Sequence, residues 1–323
     1  MKQRTRSILF LTAALLVPAL ALAQAYPTKP VRMLVPFPAA SIPDVVARLV
    51  SEKLNTALGQ PVVIENRVGA GGRIAASAAA KAAPDGYTLL LGSASTHSVA
   101  PHVVKNMPYN PLQDFTPIAN AASSVSGLIV HSSVPARSVK ELVEYARKNP
   151  GKIAYGSNGI GSTHHLRGEL IKIAAGIDMV HVPYGGSNEL MTAIVSGQLQ
   201  MTFFATGAVR QHVQTGRVKL LAVTTPKRYA GLPDLPTIAE ELPGYESIID
   251  WFAFFGPAGL PRPIVMQLNG AIVKALHTPD VRAKLDAQTL LTIASSPEEL
   301  GELMKAETKI YAKVVKAAGI VPE

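Results

Sequence analysis

The sequence predicts an α/β protein in which parallel sheets carry helices on their faces. Short runs rich in valine, isoleucine and leucine alternate with helical patterns from residue 31 onward. The chain has 323 residues, and at roughly 100–200 residues per domain this length suggests two domains. Because 48% of the residues are hydrophobic and 16% charged, the chain can bury enough apolar surface to offset the entropy of ordering it. A disordered chain is therefore excluded, and the absence of cysteine excludes a disulfide miniprotein.

The first 25 residues have the pattern of a secretory signal peptide. A basic stretch over residues 2–6 precedes an apolar run over residues 8–21, and Ala21-Leu22-Ala23 supplies small residues at the spacing that signal peptidase reads. The apolar run is shorter than the roughly 20 residues that a membrane-spanning helix needs. We therefore expect residues 1–25 to be a signal peptide, with Ala23-Gln24-Ala25 as an alternative cleavage site, and the mature protein to be periplasmic.

The charge distribution argues against a nucleic-acid partner. The formal net charge is +9, and three of the basic residues lie in the expected signal peptide. The others are scattered singly along predicted helices, with no basic stripe of the kind that tracks a phosphate backbone. A solvated surface is the simpler interpretation.

The order of predicted elements follows from periodicity and capping signals. Buried strands are predicted at residues 31–35, 62–65, 87–91, 128–131, 153–156, 179–182, 200–204 and 220–224. Helices are predicted at residues 44–58, 139–148, 166–175, 263–276, 279–287 and 297–318. The second of these follows Ser138, a typical N-cap residue. The last third of the chain is almost without strands, so we expect its helices to pack on a neighbouring sheet.

Two loops of small, neutral residues share one arrangement. Each follows a strand and precedes a helix, the first over residues 36–41 and the second over residues 157–163. In such a loop, backbone N–H groups and the positive end of the helix dipole face the crevice beyond the strand and can bind an anion. Neither loop contains lysine or arginine, so backbone and hydroxyl donors would bind it. A capping box formed by Ser41 and Asp44 is an equally good account of the first loop.

Motifs for an enzyme are absent or incomplete. Gly159-Ile-Gly161 has no glycine at the third position of a dinucleotide fingerprint, and Gly69-Ala-Gly-Gly72 lacks the lysine of a P-loop and suits close packing instead. No G-x-S-x-G elbow or H-E-x-x-H motif is present. The adjacent His164 and His165 point to different sides of a helix and have no accompanying carboxylates. We expect no cofactor, no metal and no catalytic set.

Other polar and aromatic candidates have two interpretations each. Ser93, Ser95, Thr96 and His97 follow a predicted strand, where their side chains either face the crevice or cap a helix. His164 is either a hydrogen-bond donor near a helix start or an ordinary packing histidine. The aromatic residues Phe203, Phe204 and Trp251 are core residues by default, although the Trp adjoins a proposed domain crossover and suits a cleft.

Several motifs together resemble those of a known family. They are Tyr26-Pro-x-Lys-Pro30, Val35-Pro-Phe-Pro38 with Asp44, Gly59-Gln-Pro-Val-Val-x-Glu-Asn-Arg67, Gly69-Ala-Gly-Gly72, Ala83-Pro-Asp-Gly-Tyr-Thr-Leu-Leu90, Val180-His-Val-Pro-Tyr184 and Leu221-Ala-Val-Thr224. In this order they are similar to the Bug or TctC family, the extracytoplasmic solute receptors of tripartite tricarboxylate transporters. The resemblance covers essentially the whole mature chain.

The resemblance implies a type II periplasmic binding protein with two α/β domains and a ligand cleft between them. Domain 1 would comprise residues 26–125 and 250–323, and domain 2 residues 126–249, with crossovers near residues 126–127 and 249–251. The two small-residue loops correspond to the family's carboxylate-binding loops, in which backbone amides, hydroxyls and bridging waters hold the ligand. The implied partners are a small carboxylate and the membrane subunits of such a transporter. We expect a monomer without enzymatic activity.

The resemblance and the loop positions together give a set of expected ligand-binding residues. They are Phe37, Ala39, Ala40, Ser41, Ser93, Ser95, Thr96, Ser157, Asn158, Gly161, Ser162, Thr163, His164, Tyr184, Phe204, Thr206 and Trp251.

Two departures from the family pattern bear on the ligand. The family's first loop usually has two glycines where this chain has Ala40 and Ser41. A left-handed residue other than glycine costs roughly 1–2 kcal/mol, so we expect this loop to take a different path. The family often carries Asp and Asn where this chain has Phe204 and Ala205. Phe cannot receive a ligand ammonium, which favours an aromatic carboxylate, such as terephthalate or phthalate, over an amino acid.

Two other functions stay open at this point. A secreted enzyme acting on an organic acid would need a nucleophile, a metal or a paired acid and base in the cleft. A receptor that presents its ligand to a sensor would use the same closed form as one that serves a transporter.

Overall fold

The computed structural model describes residues 26–322, so the expected signal peptide lies outside the described residues. The strands are β1 Val31–Val35, β2 Val62–Asn66, β3 Thr88–Ser93, β4 Phe115–Ser124, β5 Ser126–His131, β6 Ala154–Ser157, β7 Val180–Pro183, β8 Met201–Ala205, β9 Val218–Val223, β10 Asp250–Pro257 and β11 Leu290–Thr292. The helices are α1 Ile42–Leu58, α2 Arg73–Ala80, α3 Ala100–Val103, α4 Val139–Lys148, α5 Thr163–Ala175, α6 Ser187–Ser196, α7 Thr206–Gln214, α8 Ile238–Glu241, α9 Arg262–Leu276, α10 Pro279–Ala287 and α11 Pro297–Ala317. None of these helices is both long and apolar enough to cross a membrane.

The strands form two sheets. The first has six strands in the order β11-β4-β10-β3-β1-β2, and the second has five in the order β7-β6-β8-β5-β9. The chain passes from the first sheet to the second at Val125, between β4 and β5, and it returns at β10. Two α/β units with separate sheets are therefore confirmed.

The sheets are mixed, whereas the sequence pattern predicted parallel ones. β1 is parallel to β2 and β3, and β6 is parallel to β7 and β8, as the strand-helix-strand rhythm requires. β10 is antiparallel to β3 and β4, and β5 is antiparallel to β8 and β9. β5 and β10 each follow a strand of the other sheet, so neither is reached by a crossover connection within its own sheet. Only such a connection makes sequential strands parallel.

The last third of the chain contains more strand than its pattern indicated. β10 is the aromatic run that begins at Asp250, and it lies in the middle of the first sheet between β3 and β4. Its neighbour α9 packs against α1 and β4, and α11 packs against β4 and also against α5 of the second unit. The helices predicted in this part of the chain are present as α9, α10 and α11.

Each sheet is buried on both faces. Along β1, Met33 packs with the cluster that includes Val50 and Phe254, while Leu34 packs on the other face with Leu90 and Phe255. The second sheet has the same arrangement with two further clusters. Strands covered on both sides read as continuous apolar runs, and this is why their positions were predictable.

The glycine-rich turn at residues 69–72 packs closely, as predicted. Gly72 has a φ of +89°, and a Cβ atom there would lie 2.7 Å from Thr96 Cγ2 and 3.0 Å from Pro36 Cβ. Pro36 and Thr96 belong to the segments that follow β1 and β3, so this glycine holds those segments together. Gly59 also has a left-handed backbone, with a φ of +66°, but no atom lies within 4 Å of its Cβ position.

We therefore expect Gly72→Ala to destabilise the protein more than Gly59→Ala. Gly59→Ala should cost roughly 1–2 kcal/mol from the left-handed backbone alone, and Gly72→Ala roughly 2–4 kcal/mol because overpacking adds to it. Urea denaturation of the two variants measures both costs. Equal losses would show that the turn yields to the added methyl group.

Candidate functional site

A cleft of about 690 Å³ lies between the two units, where β1, β3, β6 and β8 end. Of the expected ligand-binding residues, those that line it are Phe37, Ser93, Ser95, Asn158, Gly161, Ser162, Thr163, His164, Phe204 and Trp251. Both units contribute to this set. The carboxyl ends of the strands and the segments that follow them thus come together in one crevice, as open α/β sheets lead one to expect.

The first small-residue loop faces the cleft only at Phe37, and the start of α1 follows it along the wall. Phe37, Ile42 and Pro43 line the cleft, whereas Ala39, Ala40 and Ser41 do not. The Ser41 hydroxyl donates to the carbonyl of Pro38 at 2.6 Å instead of capping α1, so the capping box is not formed. These three expected residues therefore do not contribute to the wall of the cleft in this structure.

Ala40 adopts the left-handed conformation that we expected the loop to avoid. Its φ is 63°, and its N–H donates to the carboxylate of Asp44 at 2.8 Å. Asp44 is buried and also accepts from Asn66 Nδ2 and Arg48 Nε, both at 2.8 Å. Burial alone would raise the pKa of Asp44, but the hydrogen bonds from Arg48, Asn66 and Ala40 lower it. The anchored carboxylate offsets the backbone strain at Ala40.

Four other expected residues lie behind or beside the cleft. Thr96 is fully buried and bonds to the backbone of Ser93 and to the ring of His97. Ser157 is also fully buried, and its hydroxyl lies 2.7 Å from His181 Nε2. Tyr184 packs on the cluster behind β8, and Thr206 lines a separate pocket. None of these four side chains lines the cleft.

The second loop ends at a helix start with free donors. Ser162 is the N-cap of α5, and its hydroxyl accepts from the N–H of His165 at 3.3 Å. Helix capping by a loop hydroxyl, which the sequence suggested for the first loop, therefore occurs in the second loop instead. The N–H groups of Thr163 and His164 precede the first helical hydrogen bond, so they are available to an anion in the cleft.

Aromatic side chains form the apolar part of the cleft. Phe37 and Phe252 pack edge to face with ring centroids 6.4 Å apart, and Phe204 lies opposite, from the second unit. Phe252 was not among the expected residues. Trp251 lines the cleft but is fully buried, and its indole N–H donates to Glu307 Oε2 at 2.8 Å, so its side chain exposes no surface there.

Asp250 is a charged cleft residue that sequence reasoning missed. A quarter of its side chain is exposed, and Oδ2 lies 2.9 Å from Nη2 of Arg167, which is fully buried. Burial alone would raise the pKa of Asp250, but Arg167, His164 and the Thr163 hydroxyl lower it. The cleft thus contains one paired carboxylate and no lysine or arginine among its lining residues. Asp250 is recognisable as a cleft carboxylate only from its ion pair with Arg167, which lies far from it in the sequence.

Additional polar residues without a sequence signal complete the cleft. They are Ser124, Ser126, Ser187 and Asn188. Ser126 Oγ donates to Asp250 Oδ2 at 3.4 Å, and Ser187 Oγ accepts from Asn158 Nδ2 at 3.1 Å. Ser124 ends β4, Ser126 begins β5, and Ser187 and Asn188 begin α6. None of these positions has a recognisable loop pattern in the sequence.

Two histidines near the cleft are held neutral. Burial lowers the pKa of His97 to about 3, and its ring stacks on Phe255 with centroids 4.2 Å apart. His97 is therefore a core residue and not a cleft donor. Burial, with a contribution from Arg167, also lowers the pKa of His164. Within residues 26–322, no group of three His, Cys, Asp or Glu side chains is placed to hold a metal ion.

Comparison with known proteins identifies the same family that the motifs resemble. The model of the tripartite tricarboxylate transporter family receptor, TctC, matches residues 46–320. A UPF0065 protein from the tcbD-tcbE intergenic region of Pseudomonas sp. strain P51 is 37% identical over 293 residues, 90% of this chain and 87% of the relative.

Two solved structures from Rhodopseudomonas palustris have the same fold. Rpa4515 with adipate has a TM-score of 0.76 and 37% identity, and the match covers 92% of this chain and 100% of that one. MatC with bound malate has a TM-score of 0.71 and 32% identity, with 90% and 100% covered. The predicted two-domain α/β binding-protein fold is confirmed.

The neutral histidines predict that stability falls in acid. The pKa of folded His97 lies below its ordinary 6.5, so the unfolded state binds more protons at intermediate pH. Its contribution is complete above pH 6.5 and is lost as the pH falls toward 3. Between pH 7 and about pH 5.5 this one group should remove about 1 kcal/mol.

Urea denaturation of wild type and His97→Gln at the two pH values isolates this contribution. The variant should lose about 1 kcal/mol less than wild type on acidification. His277→Gln, at an exposed position, is the control and should lose as much as wild type. Equal losses in all three proteins would contradict the assignment.

Proposed function

The chain belongs to the TctC family of tripartite tricarboxylate transporter receptors, which are periplasmic solute-binding proteins, and we propose that it captures an aromatic carboxylate in its interdomain cleft. The observation that carries the proposal is the composition of the cleft. Hydroxyls and a helix start lie at its polar end, and three phenylalanine rings line its apolar part. The relatives with adipate and malate support a carboxylated ligand.

The carboxylate is held without a basic side chain. The donors that we propose are the N–H groups of Thr163 and His164 at the start of α5 and the hydroxyls of Ser93 and Ser95, which line the same cleft. A charge-assisted hydrogen bond contributes roughly 1.5–3 kcal/mol, and a helix start typically adds 0.3–1 kcal/mol. A few such bonds offset much of the cost of removing the carboxylate from water.

The body of the ligand packs against Phe37, Phe204 and Phe252. A volume of about 690 Å³ is in the range of small-molecule sites and accommodates a benzene ring with its substituents. Terephthalate and phthalate are the dicarboxylates that we propose first.

Domain closure follows from the division of the site between the two units. Domain 1 comprises residues 26–125 and 250–323, and domain 2 comprises residues 126–249, with residues 1–25 as the signal peptide. In support, the chain crosses between the sheets only at Val125 and again just before β10 within residues 26–322. Because both domains contact the ligand, it favours the closed form, which the membrane subunits of the transporter then bind.

A thermal-shift screen of organic acids tests the function. At 100 times the dissociation constant, a ligand should stabilise the mature protein by about 2.7 kcal/mol. We expect terephthalate or phthalate to raise Tm more than adipate, malate or aspartate does. A larger shift with aspartate, or no shift with any carboxylate, would overturn the proposal.

Substitution of Phe204 tests the aromatic part of the site. Phe204→Leu keeps most of the buried volume but removes the ring, so the Kd of terephthalate should rise roughly tenfold, the equivalent of about 1.4 kcal/mol of ring contact. The Kd of adipate should change less, because adipate has no ring to stack.

Two further variants complete the experiment, with Kd measured by calorimetry. Phe204→Asp should raise the Kd of both terephthalate and adipate further, because the new carboxylate repels these anions. Thr192→Val, at an exposed position of α6, is the control for a neutral surface change. Unchanged affinities in both Phe204 variants would remove Phe204 from the site.

A further inference from the structure

A stacked pair of histidines lies directly behind the second cleft loop. The rings of His165 on α5 and His181 on β7 are nearly parallel, with centroids 3.7 Å apart and planes 6° apart. Tyr155 on β6 packs beside both rings, with its centroid 5.1 Å from that of His181 and 6.4 Å from that of His165. His165 and Tyr155 are buried and His181 is half-buried, and none of the three lines the cleft.

Both histidines bond to the loop in front of them. His165 Nδ1 accepts from the backbone N–H of Gly161 at 3.0 Å, and His181 Nε2 lies 2.7 Å from the Ser157 hydroxyl. That hydroxyl in turn accepts from the N–H of Gly159 at 3.2 Å. Asn158, Gly161 and Ser162 of the same loop line the cleft. The pair therefore fixes the loop by its backbone.

The loop needs such support because two glycines leave its backbone free to adopt other conformations. Gly159 has a φ of +105° and Gly161 a φ of +74°. A Cβ atom at Gly161 would lie 2.9 Å from Val103 Cγ1 of the opposite unit, so the loop also approaches domain 1 closely. With flexible glycines at two positions, the bonds to the histidines decide which conformation the loop keeps.

The bond from Gly161 determines the protonation state of His165. A backbone N–H can only donate, so Nδ1 of His165 has to be the unprotonated nitrogen of a neutral ring. A protonated ring has a hydrogen on both nitrogens and faces the Gly161 N–H with a second donor. Protonation of His165 therefore breaks this bond, and it also places a positive charge against the stacked ring of His181.

The charged and titratable groups around the pair favour the neutral state overall. Burial lowers the pKa of His165, with Lys172 acting in the same direction and Glu169 against it. Burial, His165 and Lys172 lower the pKa of His181 to about 4, again against Glu169. Glu169 is engaged by the Tyr155 hydroxyl and by Lys172 Nζ, the latter at 2.9 Å, so it is not free to pair with an imidazolium.

We propose that the His165 and His181 pair positions residues 157–162 for ligand binding, and that protonation of the pair releases this loop and weakens the hold on the carboxylate. This inference rests on the proposed function only in that the loop contacts the ligand. The sign of the effect is opposite to that of simple charge attraction, because an imidazolium near an anionic ligand would strengthen binding in acid. Weaker binding in acid therefore indicates release of the loop, and tighter binding in acid indicates simple charge attraction.

The coupling between histidine and loop is measurable without a ligand. In a ligand-free NMR titration from pH 7.5 to about 3.5, the Gly161 amide resonance should follow the same midpoint as the His165 ring carbons. His277 is exposed, so His277→Gln is the control variant, and its Gly161 amide should respond as in wild type. A Gly161 amide that does not respond while His165 titrates would overturn the proposal.

Binding is then measured for terephthalate by calorimetry over the same pH range. One coupled proton weakens Kd by at most about tenfold per pH unit below the pKa of the pair. His165→Asn keeps an acceptor near the position of Nδ1 but cannot be protonated, so it should bind like wild type at pH 7.5 and lose less affinity in acid. His165→Phe keeps the stack without the acceptor and should bind roughly tenfold more weakly already at pH 7.5.

The comparison between variants cancels the protonation of the ligand itself, which is common to all of them. Tighter binding in acid, or the same pH dependence in wild type and His165→Asn, would overturn the proposal. If wild type binds no carboxylate, the proposed function fails, and the Gly161 titration alone then decides whether the pair controls the loop. Circular dichroism at each pH confirms that the proteins stay folded.

Discussion

The contact between Arg167 and Asp250 is the interaction on which the arrangement of the two units depends. Arg167 belongs to α5 of the second unit, and Asp250 begins β10, the strand by which the chain re-enters the first sheet. The guanidinium also donates to the carbonyl of Ile248 through Nη2 at 3.0 Å. A fully buried cation without its partner typically costs 3–5 kcal/mol. The return of the chain is therefore tied to the helix whose start faces the cleft.

The cleft depends on that tie in two ways. The pair sets the position of the α5 start, whose free N–H groups face the ligand space, and it keeps the Asp250 carboxylate ionised but neutralised. An unpaired carboxylate there would repel any anionic ligand, and an unpaired arginine would bind one too indiscriminately. A receptor that must release its ligand is better served by neutral donors and apolar contact, because both can be lost together when the domains open.

The two cleft loops are stabilised by the same kind of hydrogen bond. In each, a buried titratable side chain accepts a hydrogen bond from a loop amide, Asp44 from Ala40 and His165 from Gly161. Each amide belongs to a residue with a left-handed backbone. In each loop the acceptor selects one backbone conformation, and at Ala40 it also offsets the strain of the left-handed backbone. The two acceptors differ in one respect, since Asp44 keeps its acceptor character in weak acid and a histidine loses it on protonation.

The sequence by itself determined the two α/β units, the family and most of the polar cleft residues. Strands buried on both faces read as apolar runs, and the small-residue segments after them were recognisable as loops before a helix. Tertiary structure alone decided the rest. Asp250 lines the cleft because a distant arginine pairs with it, while Trp251 is drawn into the core because Glu307 supplies an acceptor for its N–H. Ala40 is left-handed because Asp44 holds its amide. Such pairings join residues far apart in the chain or depend on exact side-chain placement, and no local pattern encodes them.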